Sequence, residues 1–271
     1  MTTVVVSESV IYTGTMIGLS QAWYKDIPKS SFHFFNDNEE WLQMDKMGHT
    51  MTSYYIGKGG YEVLRWSGVS EKKATWYGGG LGMVLLTSVE VLDGFSSDWG
   101  FSTGDMLANT SGSMLFIGQQ LAWHEQRILL KYSFHTTDYA SLRPNVLGSN
   151  LSEQWLKDYN GQTYWLSANI ASFLGDETQF PKWLNVAVGY GADGLLGGHD
   201  NVFETDGVTY DFTGTERVRQ FYLSLDVDLT RIKTKSRFAN AVLGAFGFIK
   251  FPFPAIAFNS NGKTVFKPFY F

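Results

Sequence analysis

The 271-residue chain contains no cysteine, which excludes disulfide bonds and thiolate-held metals. That absence does not fix a compartment, since envelope proteins also lack cysteine. Charge is scarce too: Asp, Glu, Lys and Arg supply 17% of the chain, below the roughly one quarter usual for globular domains. A net charge of −5 and the lack of a long Lys/Arg run argue against nucleic acid as a partner. Uninterrupted hydrophobic runs are missing as well. The stretch Trp76–Phe95 carries Glu90 and Asp93, and Met106–Trp123 carries Asn109, Gln119 and Gln120. Ala239–Phe258 holds Lys250 and is broken by Pro252 and Pro254, so none reads as a membrane span. Val4–Tyr24 is not a secretion signal, because no Lys or Arg precedes it and Ser7, Glu8, Ser9 and Thr13 break it. If the chain is exported, its signal peptide is absent from this sequence.

Aromatic residues are plentiful, at 16%, with 9 Trp, 14 Tyr and 21 Phe. Many rings and few charges fit large buried or interfacial surfaces, and Tyr and Trp suit a membrane boundary. The expected partner is membrane lipid or a membrane protein complex. An apolar, aromatic-edged docking face is expected around Tyr12, Met16 and Trp23 and along Phe246–Phe258.

Apolar spacing predicts a first helix over Val4–Trp23 and a second from Glu39 to about Gly57, with Asn38 as its cap. A third is predicted from near Ser70 to about Gly94. Its Gly78-Gly79-Gly80 costs helix stability and implies that another backbone approaches closely. Ser102 or Thr103 caps a fourth helix, which holds Asp105 and Asn109. Beyond Trp123 the pattern changes. Arg127–Thr136 reads as a strand, and 162–174 as a helix after the polar turn Lys157-Asp158-Tyr159-Asn160-Gly161. Leu184–Tyr190, Arg219–Leu229 and Thr264–Phe271 read as strands, with Asn261-Gly262 as a hairpin turn. The C-terminal strand is expected to pack on the helices, since too few strands remain for a membrane barrel. The whole reads as one α+β domain over 1–271, mainly α, a helical bundle in the N-terminal half with short C-terminal strands.

The chemistry concentrates on three segments. Residues four apart share a helix face, so Asp45 stacks under His49 and Asp105 under Asn109. Glu90 and Asp93, three apart, share another face, and Lys46 lies beside Asp45. Charges on apolar helices must find one another, a metal or a ligand, because an unpaired buried charge costs several kcal/mol. A catalytic reading takes Asp45, His49, Glu90 and Asp105 as the reactive set. A ligand-binding reading adds Lys46, Asp93 and Asn109. The plainer reading is an ion-pair network that orients three helices, with Lys46 balancing negative charge. Metal and cofactor stay unassigned, since one histidine is a weak metal signal. His33 reads as a packed ring among Phe32, Phe34 and Phe35, and His124 as a helix end. Ser111 and Ser113 lack the context of a nucleophile elbow. Gly189-x-Gly191 matches no phosphate loop.

The order of these motifs resembles the core of the VanZ-like proteins. Here it is Asp45-Lys46-x-x-His49 with Tyr54 and Tyr55, then Glu90, then Asp105-x-x-Ala108-Asn109-x-x-Gly112. The wider context, including Glu40-Trp41-Leu42-Gln43-Met44-Asp45-Lys46 and Asp158-Tyr159-Asn160-Gly161-Gln162, resembles a family of predicted periplasmic lipoproteins of unknown function. That resemblance implies an envelope location, in the periplasm or at the inner face of the outer membrane, and a largely helical core. It implies no reaction. Two departures stand out: no lipobox cysteine is present, and Asp93 occupies the place where VanZ-like proteins tend to carry Gln. The leading expectation is a periplasm-facing, membrane-associated protein with a buried polar cluster. Its rivals are an envelope hydrolase acting on lipid or cell-wall material, and a structural subunit of an outer-membrane assembly.

Overall fold

The computed structural model describes residues 28–271, apart from 176 and 206, together with Gly14. The expected helix Val4–Trp23, with the proposed contacts of Tyr12, Met16 and Trp23, lies outside the described residues. The chain forms two compact units, Met1–Asn38 with Lys46–Gln126, and Glu39–Asp45 with Arg127–Phe271.

The first unit holds β1 (Phe34–Phe35), α1 (Met44–Trp66), α2 (Glu71–Gly79), α3 (Leu81–Asp93), β2 (Phe101–Ser102) and α4 (Thr103–Trp123). The first two residues of α1 group with the second unit. Helix α1 starts later than expected and runs on through Gly57, Gly59 and Gly60 to Trp66. The predicted single helix from Ser70 to Gly94 is two helices that meet at Gly80. The glycine-rich junction permits the close approach inferred from sequence: a side chain at Gly78 would strike the backbone of Gly60 and Tyr61. Gly112 of α4 is equally constrained, since a methyl group there would collide with the carbonyl of Thr50 on α1. Ser102 caps α4 as anticipated, its Oγ accepting the Asp105 N–H at 3.0 Å. No described helix is long and apolar enough to cross a membrane.

The second unit is built on a sheet. Its elements are β3 (Ile128–Phe134), α5 (Tyr139–Leu142), α6 (Pro144–Leu147), α7 (Leu151–Lys157), β4 (Gln162–Asn169), α8 (Ala171–Leu174), β5 (Leu184–Asp193), the hairpin β6 (Val202–Thr205) and β7 (Val208–Asp211), β8 (Val218–Val227), α9 (Arg237–Ala245), β9 (Phe253–Asn259) and β10 (Thr264–Tyr270). Six strands form an antiparallel sheet in the order β10-β9-β8-β5-β4-β3. One expectation is overturned here: residues 162–169 are the strand β4, and only Ala171–Leu174 is helical. The C-terminal strand forms, and β10 pairs with β9 across the Asn261-Gly262 turn, where Gly262 has φ +82°.

The sheet curls back on itself. Tyr270 on the edge strand β10 stacks on Tyr222 at 4.5 Å, and its hydroxyl lies 2.8 Å from Thr163 Oγ1 on β4. Its ring is 5.9 Å from His135, which follows the opposite edge strand. The free side of β3 is met by backbone hydrogen bonds from Tyr132 N to Phe248 O and from Lys250 N to Tyr132 O.

Strand periodicity then assigns every second residue to the enclosed face. One enclosed row reads Lys131, Trp165, Gly189, Tyr222 and Ala257 across five strands. Gly189 has no side chain because the Trp165 ring occupies that space. Lys131 and Asp226 are fully buried and paired at 2.7 Å. Lys131 also donates to Val227 O, while Asp226 accepts from Ser167 Oγ and from the Phe251 N–H. Lys250 lies over the Trp165 ring at 4.9 Å, and burial lowers its ammonium to a pKa of about 8.

The row one residue over, on the outer face, is apolar throughout: Leu130, Leu166, Val188, Leu223, Ile256 and Phe266, aligned in register. All of these except Leu130 are exposed. A parallel row is aromatic, running Tyr132, Tyr164, Tyr190, Phe221 and Phe258. The outer rows are thus apolar or aromatic, while the enclosed face combines the Lys131–Asp226 pair with a core of Trp165, Ala187, Tyr222, Ala255, Ala257 and Tyr270.

The buried pair sets a clear expectation for stability. Lys131→Met alone strands Asp226 and should cost about 3–5 kcal/mol, whereas Lys131→Met with Asp226→Leu should recover most of that loss. Denaturant unfolding of the two singles and the double closes the cycle. A single substitution costing no more than the double would show that the pair carries no such linkage.

Candidate functional site

The polar residues singled out from sequence come together in the first unit, around two side chains that were not singled out. Helix α1 supplies Lys46 and His49, one face of the helix being shared by residues three or four apart. Helix α3 supplies Glu90 near its C-terminus, and α4 supplies Asp105 and Asn109 from its first two turns. The additions are Asp37, in the loop after β1, and Ser102, the cap of α4. Only the capping role of Ser102 was legible, and nothing in the pattern around Asp37 marks it.

Lys46 is the centre of charge, with Nζ at 2.7 Å from Asp37 Oδ2 and 2.7 Å from Asp105 Oδ1. Ser102 ties the two acids together, its hydroxyl donating to Asp37 Oδ1 at 2.6 Å while accepting from the Asp105 N–H. The Ser102 N–H donates to Glu90 Oε2 at 3.3 Å. His49 faces three partners. Its Nδ1 is 3.0 Å from Asn109 Oδ1 and 3.7 Å from Glu90 Oε1, and its Nε2 is 3.9 Å from Asp105 Oδ1. Ser53, one turn further along α1, donates to Asn109 O and meets Ser113 Oγ at 2.9 Å. Ser113 is thereby a packing hydroxyl, which agrees with the absence of a nucleophile elbow.

Burial decides the charge states. The Glu90 side chain is 2% exposed and that of Asp105 6%, whereas His49 reaches 20%. Desolvation pushes the Glu90 carboxyl up to a pKa of about 8, with the charge of Asp105 adding to it, His49 opposing, and Asp93 adding a smaller push. Glu90 is therefore a neutral acid at pH 7, and its Oε1 makes no hydrogen bond among the described residues. Burial also acts to raise Asp37, but hydrogen bonding to Asp105, Lys46 and Ser102 outweighs it and holds that carboxyl below the usual range. The result is one lysine between two carboxylates, with a protonated carboxyl beside an imidazole. Such an array can hold a proton or present donors and acceptors to a small polar ligand at the His49 edge.

Two sequence candidates remain. Asp45 groups with the second unit, where it accepts a hydrogen bond from the Tyr159 hydroxyl at 3.1 Å. Asp93 is half-buried and acts on Glu90 through its charge. The other histidines fall where packing places them. His124 is the left-handed C-cap of α4 and sits 2.8 Å from Glu71, and His199 lies 3.2 Å from Glu40.

Residues 33–117 match a family described as "Predicted periplasmic lipoprotein (DUF2279)". The match spans His33 to Ile117, which takes in α1 to α3, most of α4, and every residue of the cluster. It supports a periplasmic location. No curated protein and no solved structure matches the chain.

The raised Glu90 pKa makes stability fall with pH. Between 4.5, the value for an unburied glutamate, and about 8, the folded chain holds a proton that the unfolded chain has released. Stability from this group is thus complete below 4.5 and is eroded up to about 8, at up to about 1.4 kcal/mol per pH unit. Glu90→Gln keeps the shape and removes the titration. Its melting temperature should exceed that of the unmodified chain by several degrees at pH 8.5, and the gap should shrink at pH 5. A gap independent of pH would show that Glu90 is ionised in the fold.

Proposed function

We propose that this chain is a periplasm-facing, membrane-associated envelope protein whose polar cluster fixes the register of its helices. The observation that carries this is Lys46: one cation, its side chain 13% exposed, satisfied at 2.7 Å by two carboxyl groups from different segments, within a cluster whose side chains are at most 20% exposed. A site built to take substrates needs an approach to its reactive groups, and here the cation is already consumed by internal pairs. The VanZ-like order of Asp45-Lys46-x-x-His49, Glu90 and Asp105-x-x-Ala108-Asn109-x-x-Gly112 fits the same role, because Lys46 with Asp105 and His49 with Asn109 link one helix to another. Gly112 belongs to that logic, since its missing side chain lets α4 approach Thr50 on α1.

A second reading, an envelope hydrolase using Glu90 as acid with His49, is favoured by one observation. Glu90 carries a proton beside the most exposed side chain of the cluster. Under that reading Asp45, Lys46, Asp93, Asp105 and Asn109 hold the pair and its ligand.

Thermal melts separate the two. Lys46→Met leaves Asp37 and Asp105 facing each other without a cation, and should destabilise by about 3–5 kcal/mol. Asp105→Ala should cost less, because Lys46 keeps Asp37. Melting unchanged in both variants would overturn the structural role and leave the ligand or catalytic reading in its place.

A further inference from the structure

The membrane-associated reading above leaves open which surface meets the membrane, and the second unit answers this. The outer face of the sheet carries Leu166, Val188, Leu223 and Ile256 in one exposed row, with Val186 and Leu225 two residues to one side. Phe221 and Phe258 lie two residues to the other side and are also exposed. None of these outward positions bears a charge or a hydrogen-bonding group. Lys131, Ser167 and Asp226 point inward, while the outward polar groups Tyr190 and Arg219 lie at one end of the face, where they hydrogen-bond to Leu42 O and Gln43. A sheet facing water has the reverse arrangement, while one facing hydrocarbon has this one.

The dimensions choose between spanning and resting. Phe221 to Leu225 covers four residue steps, a band about 13 Å tall at roughly 3.3 Å per residue. A bilayer core is about 30 Å thick, so the band matches one leaflet and not two.

Beside the sheet lies a second feature of complementary charge. From the end of β8 to the first residue of α9 come Arg231, Lys233, Lys235 and Arg237, four cations in seven residues of a chain whose net charge is −5. Lys233, Lys235 and Arg237 are exposed. Helix α9 then presents Phe238 and Val242, exposed and four apart on one face, with exposed Phe246 directly after it. Cations followed by an apolar helical face suit the anionic headgroup layer of a membrane.

We propose that the outer face of the six-stranded sheet, with α9 at its side, docks into the acyl layer of one leaflet, its basic stretch resting on anionic headgroups. This inference rests on the membrane-associated reading and specifies its surface.

Flotation of the purified full chain tests it, using vesicles of phosphatidylethanolamine with phosphatidylglycerol and, in parallel, of phosphatidylcholine. The unmodified chain should float with the anionic vesicles and far less with the neutral ones. Leu223→Glu with Ile256→Glu changes exposed positions only, so its circular dichroism and melting should match the parent while flotation is lost. Lys233→Glu with Lys235→Glu should weaken binding by roughly tenfold or more. A parent that floats together with a double glutamate variant that floats equally well overturns this surface but leaves membrane association standing. A parent that floats with neither vesicle overturns membrane association itself. A parent found as a dimer by light scattering, and made monomeric by the glutamate variant, shows that a second copy and not lipid covers the face.

Discussion

A lysine ammonium withdrawn from water must be given partners of opposite charge at hydrogen-bonding distance, and both units of this protein are arranged around that requirement. In the helical unit Lys46 collects Asp37 from a loop and Asp105 from the start of a helix. In the sheet unit Lys131 collects Asp226 from a strand three positions away in the sheet, and Ser167 and the Phe251 amide complete the acceptor's shell. Neither pair can be displaced without leaving a charge uncompensated, so each fixes the relative placement of the elements that supply it. Apolar packing alone tolerates sliding; these charge pairs do not.

The helical site was partly legible because its code is local. Asp45 with His49, and Asp105 with Asn109, obey the four-residue helix repeat, and the glycines at 78–80 announced a close crossing that the backbone of Tyr61 confirms. Asp37 escaped notice because it lies in a loop, where no periodicity marks which side chain turns inward. Asp45 shows the converse limit. Spacing put it on the cluster's helix but gave no hint that the hydroxyl of Tyr159, 114 residues away in sequence, donates a hydrogen bond to it.

The sheet was harder to read for a physical reason. In Gln162–Asn169 the residues on the enclosed face are Thr163, Trp165, Ser167 and Asn169, while Leu166 is exposed. Only Trp165 of the four enclosed residues is apolar, so the alternation carries little apolar-inward signal and a helix looks as plausible. Gly189-x-Gly191 serves no ligand loop but leaves room for an enclosed indole. The composition held the clue from the start: abundant rings with few charges must put many rings outside.

Glu39–Asp45 forms a tight left-handed turn, with φ of 49°, 49° and 64° at Trp41, Leu42 and Gln43, a conformation that non-glycine residues adopt only under constraint. The constraint comes from far along the chain: Gly198 O receives the Trp41 N–H, Tyr190 donates to Leu42 O, and Arg219 donates to Gln43. These contacts join positions separated by up to 176 residues. During vectorial delivery of the chain, Trp41 emerges long before the strands that hold its backbone in place. The second unit therefore cannot finish until Arg219 has arrived, and the seven-residue segment must wait in an unstrained conformation, which makes its docking a late event with a high loop-closure cost.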